Sequence, residues 1–252
     1  MNEALQALLA APAPLALACV AAFGAAVLGG LSGYGTGLIL PVFLVPLVGV
    51  ANVVPVMAVA MLLNNGSRVL AFRREIDGPH ARRLLLLGLP ACLAGAYGYT
   101  LLSARWVAVL LGAFLLASVP LRRVLRRQRW RPSPAVQVGA GAGFGFLDGG
   151  MTGTGVILVS MLMSFGVAGS ALIATDAVVS VTLGLAKVVL FGSLASLDAP
   201  LTLTGLLIGL CTAPGAFDAR AVLRRIPARV HAGFMEAVVV AGALMLLWQA
   251  RG

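Results

Sequence analysis

Ten apolar runs leave this chain few ways to fold. Five precede the basic stretch 122–131, at 15–30, 36–50, 53–72, 83–102 and 106–121, and five follow it, at 135–149, 154–168, 170–192, 200–217 and 229–248. Charged residues make up 10% of the 252 positions and hydrophobic residues 60%, whereas a soluble domain carries about 25% charged residues. So little charge cannot cover a water-facing surface, and the expectation is an integral membrane protein. No run alternates with period two, so the spans are expected to be helices, which satisfy their own backbone inside lipid.

The net charge of +10 does not point to nucleic acid. The arginines sit in short loops between apolar runs, as cytoplasmic loops of membrane proteins do, and no aromatic platforms accompany them. Cys19, Cys92 and Cys211 are isolated in apolar runs and read as small core residues. The N-terminus Met1-Asn2-Glu3-Ala4 lacks the positive segment of a signal peptide, so the first run is expected to be retained.

Two breaks rich in glycine and hydroxyl groups interrupt the apolar pattern. The first reads Gly29-Gly30-Leu31-Ser32-Gly33-Tyr34-Gly35-Thr36-Gly37-Leu38-Ile39-Leu40, the second Leu147-Asp148-Gly149-Gly150-Met151-Thr152-Gly153-Thr154-Gly155-Val156-Ile157-Leu158. Other parallels accompany them. Phe72 through Asp77-Gly78-Pro79 matches Phe191 through Asp198-Ala199-Pro200, and Gly88-Leu89 with Gly95-Ala96-Tyr97 matches Gly209-Leu210 with Gly215-Ala216-Phe217. The chain therefore reads as an internal duplication, one membrane domain made of repeats 1–131 and 132–252, each of about five helical segments.

Charge sets the expected relation of the repeats. From the end of the third run into the fourth the first half carries Arg68, Arg73, Arg74, Arg82 and Arg83, while the matching stretch 191–204 has no Arg or Lys. One loop later the first half has only Arg105, the second Arg220, Arg224, Arg225 and Arg229. Positive loops stay in the cytoplasm, so equivalent loops are expected on opposite sides. That gives inverted-topology repeats, an odd number of crossings in each, and both termini outside. The runs that follow the breaks, 36–50 and 154–168, have about 15 residues, short of the roughly 20 needed to span hydrocarbon. Runs one and two of each half are therefore expected to form a broken or re-entrant helical hairpin, its turn lying at membrane depth against protein or a cavity.

A duplicated Gly-rich break of this kind, opening each half of a small all-helical membrane protein, resembles the TauE/SafE family of sulfite and organosulfur anion exporters. The resemblance spans nearly the whole chain, including the polar third run and the Gly-rich fourth run. It departs from the family's usual Gly-Ile-Gly-Gly-Gly at Thr36 and Thr154, which replace the middle glycine, and at Met151. Pro41 keeps the family's proline in the first half; Val159 takes its place in the second. The resemblance implies a multi-pass permease of the bacterial inner membrane that moves a small oxyanion or sulfonate, mostly outward although members importing sulfur anions exist, by exchange or proton coupling, with oligomeric state open and a homodimer included.

The residues themselves support an anion site at the breaks. A helix starting at Thr36 or Thr154 presents unpaired N–H groups and the positive end of its dipole. Two such ends brought together at the midplane form an anion site without a formal charge, each contributing about 0.3–1 kcal/mol, or about 2 when partly buried. The candidate binding residues are Ser32, Gly33, Tyr34, Gly35, Thr36 and Gly37 in the first break and Thr152, Gly153, Thr154 and Gly155 in the second. The alternative is that these glycines serve only close helix packing. Asn64 and Asn65 in the third run, beside Ser67, offer amide donors or interhelical hydrogen bonds; Thr175, Asp176, Ser180 and Thr182 mark the counterpart run.

Candidate pathway charges are Arg68, Asp148, Asp176 and Lys187. Lys187 is the one lysine of the chain, and it either attracts anions at a pathway mouth or snorkels and anchors its helix; Arg68 stands at the equivalent place. Asp176 and Lys187 are three helical turns apart, on one face but out of reach of each other. Asp148 and Asp176 are candidates for titration in a transport cycle, and Asp148 equally for capping the turn. Glu236 is expected to pair with a loop arginine, and His80 and His231 to be solvated.

A secondary anion transporter leads among the function classes. A passive anion channel would use the same dipoles, and a structural subunit would not need the polar centre twice. An intramembrane enzyme would need a nucleophile–base pair or metal cluster, and there is no HExxH, no GxSxG and no clustered His or Asp. No catalytic residue, metal or cofactor is expected.

Overall fold

The computed structural model describes residues 12–29, 35–125 and 132–223, and of the last run residues 237, 240, 241, 243–248 and 250. Within 12–223 these form the α-helices α1 (Pro12–Gly29), α2 (Gly35–Val48), α3 (Val53–Phe72), α4 (Gly78–Thr100), α5 (Ala104–Leu125), α6 (Pro134–Gly150), α7 (Gly155–Ser164), α8 (Gly169–Ser193) and α9 (Ala199–Leu223), and residues 243–248 are helical as well. No strand occurs among the described residues, so the all-helical expectation holds. Arg224, Arg225, Arg229, His231 and Glu236 lie outside the described residues.

Local chemistry accounts for several boundaries. Asp77 Oδ1 accepts the His80 N–H at 3.2 Å at the start of α4, and Asp198 Oδ1 accepts the Leu201 N–H at 2.8 Å at the start of α9. Each aspartate is followed two positions later by a proline, Pro79 or Pro200, whose fixed φ and missing N–H suit a first helical turn. His80 is not solvated as expected. Drawn in by Asp77, it keeps its side chain only 19% exposed and stacks on Phe165, ring centroids 6.1 Å apart.

The stretch Val50–Glu75 and the helix α8 are each long and apolar enough to cross a membrane alone. By contrast, α7 has 10 residues, about 15 Å of helix against a hydrocarbon thickness of about 30 Å. The outer faces carry exposed Leu17, Val20, Leu86, Trp106, Val189 and Leu210, the kind of surface that lipid accepts and water does not.

Helix α3 packs along α8, α4 along α6, and α1 along α9, with α9 also against α3 and α4 against α8. Helices α3 and α8 run antiparallel. Arg68 meets Asp176 near one end, and a Cβ on Gly184 would stand 3.0 Å from Leu62 further along. At the same end, the Asp77 N–H donates to Thr175 Oγ1 at 3.0 Å.

The α4–α6 contact is closest. Gly141, Gly145 and Gly149 form a stripe with one residue per turn, and a Cβ on any of them would collide with a backbone carbonyl oxygen of Leu84, Gly88 or Cys92. In return, a Cβ on Gly95 would collide with the Phe146 carbonyl. Small residues let the backbones touch, so that dispersion and Cα–H···O contacts replace the hydrophobic drive that lipid removes. This packing fixes the end of α6, where Asp148 and the second break lie.

Candidate functional site

The second glycine break separates Gly150, the end of α6, from Gly155, the start of α7; of the first, residues 30–34 lie outside the described residues, between Gly29 of α1 and Gly35 of α2. The two breaks meet. A Cβ on Gly37 would lie 3.1 Å from both the Cα and the N of Gly153. Gly153 has φ +80°, a left-handed conformation that favours glycine, and a Cβ there would strike the Leu38 side chain. So the first turn of α2 rests against the loop that leads into α7.

The hydroxyls of the breaks are engaged within the protein. Thr36, on the first turn of α2, donates from Oγ1 to the Ala25 carbonyl of α1 at 3.2 Å. Thr154, just before α7, donates to Asp148 Oδ1. No side chain caps the start of α7, so Asp148 does not serve as its cap; the carboxylate is held by the Thr154 hydroxyl and by Lys187 instead. Thr152 is buried and its Oγ1 has no hydrogen-bond partner. Ser32, Gly33 and Tyr34 lie outside the described residues, and of Gly35 the structure describes the helical backbone only.

Asp148 and Lys187 form the polar centre. Lys187 Nζ donates to Asp148 Oδ2 at 2.8 Å and to the Asp148 carbonyl at 3.0 Å. Cys92 Sγ of α4 lies 4.0 Å from the same Oδ2. The lysine is 8% exposed and turned inward, so it does not snorkel. Its inward course follows from the pairing: a buried ammonium is tolerated only with an opposite charge and further acceptors.

A second ion pair ties α3 to α8. Arg68 Nη2 lies 3.0 Å from Asp176 Oδ2, and Arg68 Nη1 donates to Asn65 Oδ1 at 3.0 Å. Asp176 is 1% exposed, and its other oxygen, Oδ1, is buried without a partner. Asn64 Nδ2 contacts Met61 Sδ at 3.9 Å, so neither asparagine side chain is idle. Asp176 and Lys187, as expected from their spacing, do not pair with each other. Among the described residues no three His, Cys, Asp or Glu side chains come together as a metal site would require.

Both acids thus turn out to have cationic partners on other helices, which spacing along one helix does not reveal. The GxxxGxxxG stripe 141–149 was readable in the sequence as a packing signal, and it is what brings Asp148 up to Cys92. Chemically, the centre holds one carboxylate between an ammonium and a hydroxyl, a set of donors suited to an oxyanion.

Comparison with known proteins bears on what such a centre serves. A family model described as sulfite exporter TauE/SafE matches residues 18–246, a stretch that takes in both breaks and the charges Arg68, Asp148, Asp176 and Lys187. No curated protein and no solved structure matches the chain. With nearly its whole length matched, the chain belongs to the sulfite exporter TauE/SafE family of membrane transport proteins.

Proposed function

We propose that the protein is a secondary transporter that exports a small oxyanion or sulfonate, sulfite-like in charge and size, across the bacterial inner membrane. The anion binds at the midplane between the starts of α2 and α7, among Gly35, Thr36, Gly37, Thr152, Gly153, Thr154 and Gly155, with Lys187 as the cation of the site. Asn64 and Asn65 border the pathway, and Ser32, Gly33 and Tyr34 complete the first break. Access alternates between the two sides as the repeats 1–131 and 132–252 rock against each other.

The contact of Gly37 with Gly153 carries this reading, since it brings two helix starts beside one buried cation. Three observations support inverted repeats: the antiparallel course of α3 and α8, the matched aspartate caps of α4 and α9, and the swap of arginines between equivalent loops. By the charge rule the loop 73–77 is cytoplasmic and the termini are outside.

A thermal-shift screen of the purified protein against sulfite, sulfate, thiosulfate and methanesulfonate tests the reading. At least one of these anions raises the melting temperature of wild type and not of Lys187→Met. Stabilisation by none of them, or equal stabilisation of the variant, places the function elsewhere.

A further inference from the structure

The carboxylate of Asp148 occupies the donors that an anionic substrate would need. Lys187 Nζ and the Thr154 hydroxyl both point their protons at it, and Thr152, in the same break, buries a hydroxyl that nothing engages. Lys187 and Asp148 sum to zero charge. An added anion would leave this centre at minus one, in surroundings where an uncompensated charge is costly.

Resting on the anion-transport reading above, we propose that Asp148 is a tethered surrogate for the substrate: an arriving anion takes over Lys187 and Thr154, and the displaced Asp148 carboxylate takes a proton from hydronium. The step balances. One O–H bond forms on the Asp148 carboxyl, one is lost from hydronium, and the ammonium changes its counter-ion. The centre holds Lys187 cation and Asp148 anion before, and Lys187 cation, substrate anion and neutral Asp148 after. Anion binding is thereby obligatorily linked to uptake of one proton, so the anion and proton travel together.

The titratable groups facing Asp148 are Lys187 and Asp176 of α8 and Cys92 of α4. Lys187 is the shared counter-ion in both states, Asp176 keeps Arg68, and Cys92 keeps its 4.0 Å contact only while Asp148 is in place. Asp148 is the group whose partners change.

Isothermal titration of the full-length protein in detergent tests this with methanesulfonate and ethanesulfonate, strong-acid monoanions whose charge is fixed between about pH 5 and pH 8, above the ordinary carboxyl value of about 3.9–4.3. Wild type should bind more tightly as pH falls, by about tenfold per unit where one whole proton accompanies each anion, and the dependence of the binding heat on buffer ionisation enthalpy should report one proton taken up per anion. Asp148→Asn should bind at pH 8 about as tightly as wild type does at low pH, with no slope and no proton. A flat pH profile in wild type, no proton uptake, or an unchanged slope in Asp148→Asn overturns the inference. The proton count is measured on wild type and so stands even if the variant does not fold. Lys187→Met separates the two readings. Unchanged binding in it overturns the site itself, whereas lost binding with a pH-independent wild type overturns the surrogate role alone. Failure of wild type to bind either probe overturns both.

Discussion

Asp148, on the last turns of α6, and Lys187, deep in α8, meet at 2.8 Å although 39 residues separate them. The pair sits where the second glycine break opens, and the first break touches that break through Gly37 and Gly153. The only lysine of the chain is therefore spent at the centre of the protein, not on its surface.

Removing either partner alone leaves a buried charge without its counter-ion. Asp148→Asn or Lys187→Met should each lower stability in detergent by about 3–5 kcal/mol, and the double variant should cost less than the two added together. Excess methanesulfonate should restore Asp148→Asn by binding the stranded ammonium. Thermal or chaotrope melting of the four proteins checks this. Additive losses would show that the two side chains do not depend on each other.

Gly145 and Gly143 lie two residues apart on α6 and should behave in opposite ways. A Cβ on Gly145 would collide with the Gly88 carbonyl, whereas one on Gly143 meets nothing within 4 Å. Gly145→Ala should cost about 1–3 kcal/mol from overpacking; Gly143→Ala should be neutral or gain up to about 1 kcal/mol from helix propensity. Melting temperatures of the two variants decide it.

Asp77 makes a pH prediction outside the membrane-spanning segments. Burial raises its carboxyl, but the hydrogen bonds from the His80 side chain and backbone N–H and the charges of His80 and Arg83 outweigh that, and the net value lies below the ordinary range. A carboxyl lowered on folding contributes its full stability above the unfolded value of about 3.9 and loses it as pH falls through the lower folded value. Asp77→Ala should thus cost about 1 kcal/mol near pH 7, with the gap to wild type closing only in acid. A gap that widens as pH falls would contradict the sign.

Topology can be read by labelling. With Cys19, Cys92 and Cys211 replaced by alanine, single cysteines at Arg74 and Ser196 should react with an impermeant maleimide from opposite sides of a vesicle. Arg74 is expected to be cytoplasmic. Labelling from one side only would defeat the inverted arrangement.

Helix content and the two breaks were legible in the sequence because hydropathy and glycine act locally, along one segment. The equivalence of Asp77 with Asp198 was legible too, as a short motif, and each caps its helix. The pairings Asp148–Lys187 and Arg68–Asp176 were not, because each depends on the register of two helices set by side chains elsewhere: the glycine stripe of α6 in one case, the antiparallel seating of α3 on α8 in the other. Nor could spacing show that the hydroxyls of Thr36 and Thr154 point at Ala25 and Asp148. Those two threonines, the departures from the family's glycine pattern, tie each break to the helix that precedes it.

Counterflow in proteoliposomes tests the central claim most directly. Vesicles carrying wild type and loaded with unlabelled sulfite should transiently accumulate labelled sulfite from outside, saturably, while vesicles with an equal amount of folded Lys187→Met should not. Accumulation by Lys187→Met at the wild-type rate, or a wild type that passes sulfite only as a non-saturating downhill leak, would contradict a carrier whose anion site is built around Lys187.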